Sequence, residues 1–151
     1  MGTAIPGDYR RFLLSIENGG AGPGYGLFAL GTWGNERHTP GWPEGDPSAP
    51  FPHDAPWNME VEGPPPDASA EDEDAWHARW DEIYFDPTFV NGSIPIAHMG
   101  CAMWVRMVVS GPRSGQVWLD DRASDAGIYP LEPITFIDWF EAWLSEAERS
   151  A

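Results

Sequence analysis

The 151 residues carry 24 aspartates and glutamates against eight arginines and no lysine, a formal net charge of −16 with an isoelectric point near 4.3. Such a surface repels nucleic-acid phosphates and anionic membranes, so neither is an expected partner, whereas a basic protein is electrostatically favoured. A hydrophobic fraction of 42% with nine tryptophans excludes a disordered acidic chain, and the length suits one domain with an ordinary core.

In chain order, IPGDYRRFLLSIENGG (5–20) reads as a helix, because Tyr9, Phe12, Leu13 and Ile16 recur at helical spacing with Pro6 in the first turn; Asn18, Gly19 and Gly20 stop it. YGLFALG (25–31) reads as a short strand bounded by glycines. From Gly34 to Ala68 both periodicities vanish and nine of the sixteen prolines accumulate, which predicts a long connection whose Trp42 and Trp57, with Trp33 just ahead of it, pack parts of it down. A second helix begins at Ser69, with Asp72 at capping-box spacing, acids in the first turn, and a predicted buried stripe of Trp76, Trp80, Ile83 and Tyr84. IPIAHM, MWVRMVVSG and GQVWLD are strand candidates, the last two joined as a hairpin, and GIYPL is a further extended piece. The last helix, capped by Thr135, presents Phe136, Ile137, Trp139, Phe140, Trp143, Leu144 and Ala147. Strands gathered between helices predict a single α+β domain over 1–151 with a largely antiparallel sheet.

Few residues promise chemistry. His98 and Cys101 have a zinc-like H-x-x-C spacing, but a structural site needs four ligands, and His38, His53 and His77 are scattered singly. Cys101 lies between apolar residues at a predicted strand start, where burial makes an inert thiol rather than a nucleophile. Asp120 and Asp121 read as a turn after a strand with Arg122 to neutralise them, and the acids 71–74 as a solvated helix start, so no paired-carboxylate catalyst is expected. GAGPGYG lacks a preceding strand and a following Lys, so it reads as a turn rather than a phosphate loop. No enzyme activity, metal or cofactor is expected. A lone cysteine, the absence of a basic-then-apolar leader and the absence of any membrane-length apolar window predict a cytoplasmic location.

As a set, these pieces resemble the SUKH superfamily, which joins bacterial immunity proteins to fungal cell-wall regulators of the Smi and Knr type. The 5–20 segment is similar to that family's LPxDYxxFL…NGG helix, supplying Pro6, Tyr9, Gly19 and Gly20. Gly100 and Cys101 match the GC that opens a strand, and Gly111, Gly115 and Trp118 match a G…GxVW hairpin followed by DDR. TFIDWFEAWL (135–144) matches the late helix with Phe136, Trp139 and Trp143. Two departures stand out. Only four residues precede Ile5, so the family's usual preceding helix is missing, and Ala102 replaces a frequent glycine, a change that is tolerable where the backbone keeps a negative φ.

The resemblance implies a non-enzymatic immunity protein that neutralises a cognate polymorphic toxin, such as a nuclease or deaminase. The fungal relatives imply an alternative, an intracellular regulatory scaffold binding cellular proteins or peptides. Of the 24 acids, 13 lie between Glu44 and Asp86, where Arg79 is the only cation. The expected contact surface for a basic protein toxin therefore comprises Glu44, Asp46, Asp54, Glu60, Glu62, Asp67, Glu71, Asp72, Glu73 and Asp74. Trp42, Trp57 and Phe51 are candidate aromatic anchors, with packing onto their own core as the competing role.

Overall fold

The structure, a computed structural model, describes residues 4–32, 45–60 and 62–151. The chain builds α1 (Gly7–Ser15), α2 (Ala70–Tyr84), a 3-10 turn (Pro87–Val90), β1 (Ser93–His98), β2 (Trp104–Val108) and β3 (Gln116–Asp121). A second 3-10 turn (Arg122–Ser124), β4 (Gly127–Thr135) and α3 (Phe136–Ser150) complete it. The strands form one antiparallel sheet in the order β1-β2-β3-β4, so the fold is α+β.

The sheet is a middle layer because its central strands are apolar on both sides. Val105 and Met107 of β2, with Val117 and Leu119 of β3, point to one face, where α1 and α3 bring Tyr9, Phe12, Phe136, Trp139 and Phe140. Val108 and Trp118, alternating with them as the pleat requires, point to the other face and meet Phe51, Val90 and Ile128. Phe136 sits at the junction of α1 and α3, edge-on to Tyr9 at 4.8 Å and to Phe12 at 5.0 Å. Burial there pushes the Tyr9 hydroxyl up to about 12.

Among the described residues no α-helix lies along the second face; the loop from Gly45 to Glu60, with the Pro87–Val90 turn, covers it instead. Its backbone approaches so closely that a Cβ at Gly92 would strike Phe51, and one at Gly127 would strike the Trp57 carbonyl. Trp57 then pairs with Ile128 in both directions at 2.8 Å, covering part of β4's outer edge.

Several expectations change. Residues 25–31 are not a strand: Leu27 makes isolated bridges to Gly20 and Ala97, and positive φ at Gly24, Gly26 and Gly31 breaks the extended run. Pro6 is the N-cap of α1 rather than part of its first turn, and Ile16 lies beyond it, exposed. In α2 only Tyr84 is buried; Trp76 and Trp80 are half-buried and Ile83 is exposed, because α2 meets the body through its C-terminal end. Leu144 and Ala147 of α3 are exposed, while Trp143 is half-buried. Asp120 and Asp121 belong to β3 and are buried rather than forming a turn.

Cys101 is the sharpest correction. It is exposed, not buried, and stands with Ala102 as the two central residues of the β1–β2 turn, at φ 49° and 58°, closed by Met103 N–H donating to the Gly100 carbonyl at 2.9 Å. With Gly100 at 94° before them, three consecutive residues take positive φ, and positive φ at both central residues is what a type I′ turn requires. Ala102 therefore does not keep the negative φ under which its replacement of glycine is tolerable.

Candidate functional site

The acidic segment is organised by how α2 starts and how it is held. The Ser69 hydroxyl accepts from the Asp72 N–H at 3.2 Å, and the Asp72 carboxylate accepts from the Ser69 N–H at 3.4 Å. This capping box satisfies two otherwise unpaired groups, and Glu71, Asp72 and Glu73 lie where the helix dipole favours negative charge. At the other end, the Arg122 guanidinium donates to the Tyr84 carbonyl at 3.1 Å and the Asp86 carbonyl at 3.3 Å. A cation at a helix C-terminus complements its dipole, so one buried side chain secures the end of α2 against the sheet.

From that anchored end a column of aromatic rings runs outward. Trp118, fully buried, faces His53 at 6.2 Å, and His53 faces Trp57 at 5.4 Å. Trp57 lies against Phe89 at 4.2 Å with the rings tilted by 30°, and stacks on Tyr84 at 5.9 Å; Tyr84 continues to Trp80 at 5.4 Å, and Trp80 to Trp76 at 5.9 Å, those two planes only 2° apart. The i, i+4 spacing of Trp76, Trp80 and Tyr84 produces the outer part. His53 Nε2–H donates to the Phe89 carbonyl at 2.7 Å. Burial holds the His53 pKa below its ordinary value; the bond to Phe89 opposes this, the Arg122 charge adds to it and Asp120 opposes it. The Tyr84 hydroxyl donates to Asn58 at 2.7 Å, and its own pKa is raised, chiefly by burial.

Every aspartate and glutamate from Asp46 to Glu82 is exposed: Asp46, Asp54, Glu60, Glu62 and Asp67 on the loop, Glu71, Asp72, Glu73, Asp74, Asp81 and Glu82 on α2. Asp46 accepts from the Ser48 hydroxyl and N–H at 2.6 and 2.9 Å, which lowers its pKa. Phe51 is buried and Trp57 half-buried in the column, so both clamp the loop to its own core. Glu44 and Trp42, like Trp33 and His38, lie outside the described residues.

The residues weighed for chemistry do not converge. His98 is half-buried between Tyr25 at 5.7 Å and Trp104 at 4.5 Å, while Cys101 occupies the exposed turn. Among the described residues no group of three or more His, Cys, Asp or Glu is placed to hold a metal. Asp120 is engaged by Arg122, and one Asp121 oxygen accepts from the Tyr129 hydroxyl at 3.1 Å.

The other residues of the quoted motifs are structural in placement. Gly19, Gly20, Gly100, Gly111 and Gly115 take positive φ in turns; Tyr9, Trp118, Phe136 and Trp139 are core. Sequence reasoning missed His53 and Arg122 as the pieces that tie the loop and α2 to the sheet, since a lone His and a charge after two acids carry no periodic signal.

No family model matches the chain, and neither the curated proteins nor the solved structures contain a match to it. Among the described residues no helix is long and apolar enough to cross a membrane.

Proposed function

We propose that the protein is a non-enzymatic, SUKH-like immunity protein that neutralises a basic polymorphic toxin by direct binding. The observation that carries this reading is the exposure of every acid from Asp46 to Glu82, on a loop and helix fastened to the sheet by buried groups, with Arg79 the only arginine among them. Such a field raises the association rate and sharpens partner choice more than it adds affinity. The column beneath it limits the reorganisation that binding would otherwise require.

The test is protection of cells expressing the basic toxin domain encoded beside this chain. Wild type should rescue growth, and Glu71→Lys, Glu73→Lys and Asp74→Lys together should abolish rescue while leaving the fold intact. Association should slow steeply between low and moderate salt. Rescue that survives the triple reversal, or an association rate indifferent to salt, overturns the reading. Turnover of a small molecule by the purified protein would overturn its non-enzymatic part.

A further inference from the structure

Beside the tryptophan stripe, α2 presents a second face. Ala75, Ala78, Arg79, Glu82 and Ile83 follow i, i+3, i+4, i+7, i+8, the spacing of one helical stripe. Facing them, Thr88 and Phe89 of the Pro87–Val90 turn complete an open groove of about 810 Å³. Small alanines make the groove, and Ile83, 43% exposed, and Phe89 supply its apolar wall. Glu82 and Asp86 stand on the same groove, and Thr88 holds the Asp86 carboxylate through its N–H and hydroxyl, lowering its pKa. An open groove lined by Ala75, Ala78, Ile83 and Phe89 together with the carboxylates of Glu82 and Asp86 matches an occupant that carries an apolar side chain with a cation beside it.

We propose that this α2 groove is the docking slot for a basic amphipathic segment of a protein partner, one apolar side chain seated against Ala78, Ile83 and Phe89 and a neighbouring Arg or Lys facing Glu82 and Asp86. The proposal rests on the acidic-surface reading above and adds to it where affinity is made: the surrounding acids steer, and the groove retains. Arg79 then acts as a discriminator, because as the one cation on the groove it repels a partner whose positive charge arrives out of register.

The experiment uses the whole chain and two labelled helical peptides of equal positive charge, one pairing arginine with leucine on an amphipathic face, the other with every leucine replaced by alanine. At low salt the leucine peptide should bind at least about tenfold more tightly. Ala78→Phe, which fills the slot from an exposed helix position, should reduce its affinity to that of the alanine peptide. Arg79→Gln should tighten the leucine peptide, an independent readout should Ala78→Phe fail to fold. Equal binding of the two peptides, or a leucine preference that Ala78→Phe leaves intact and Arg79→Gln does not strengthen, overturns the groove while leaving the acidic-surface reading standing. Binding of neither peptide overturns both.

Discussion

Asp120 and Arg122 form a buried bidentate ion pair, with Nε on one carboxylate oxygen at 2.7 Å and Nη2 on the other at 2.8 Å. Both side chains are fully shielded from solvent, and the guanidinium also lies 5.5 Å from the Phe85 ring centroid. A carboxylate and a guanidinium removed from water need hydrogen-bond partners, and here Nη1 donates to the carbonyl of Tyr84, the last residue of α2, and to that of Asp86 just beyond it. The pair is therefore a joint between the helix and the sheet.

Removing one member strands the other's charge. Arg122→Met should cost about 3–5 kcal/mol, read from urea denaturation. Adding Asp120→Leu should recover part of that loss, though not the bonds to Tyr84 and Asp86. A single replacement costing under about 1 kcal/mol would show that the pair is not desolvated as described.

The β1–β2 turn should be improvable. Ala102→Gly relieves a positive φ that a side chain disfavours by about 1 kcal/mol, partly offset by the greater freedom of glycine when unfolded. A rise in Tm of about 1–3 °C is expected, measured by scanning calorimetry. Cys101→Asn should act in the same direction, since asparagine tolerates this region of backbone space.

Acid should weaken the fold through His53. Because its pKa is lower folded than unfolded, the unfolded chain takes up the proton first, so His53's contribution is complete above its ordinary value of 6.5 and is lost as pH falls from there through the folded value. His53→Phe should flatten the wild-type decline in unfolding free energy between neutral and mildly acidic pH. Parallel pH profiles for the two proteins would exclude His53 as the source.

Ser69→Ala should cost about 1 kcal/mol by removing the capping box, and the first turn of α2 should fray, visible as faster amide exchange at Glu71 to Glu73. Since the acids of that turn steer the proposed partner, its association rate should fall as well, with the groove unaffected.

The sheet was legible in the sequence because its strands are runs of β-branched and aromatic residues between glycines: IPIAHM, MWVRMVVSG and GQVWLD fall within a few residues of β1, β2 and β3. GIYPL located β4 but not its full length, as Pro130 and Pro133 hid a strand that tolerates proline at the sheet edge. Gly100 marks a turn between β1 and β2, but neither Cys101 nor Ala102 signals the positive φ that both adopt. In α2 the tryptophan spacing predicts burial, but periodicity says which residues share a side, not how much body lies against it. The acids of the candidate surface were plain in composition, whereas the groove depends on the Pro87–Val90 turn coming alongside the helix, a tertiary fact.

The tryptophan column also gives the molecule its own optical gauge. Trp76 and Trp80, parallel to within 2° and 5.9 Å apart, are close enough for their indole transitions to couple, and Tyr84 and Trp57 continue the series toward Trp118. Any ligand that tilts the outer rings of α2 should alter the near-ultraviolet dichroism and quench or shift the emission without an added dye, so occupancy of the acidic face can be followed in the unlabelled protein.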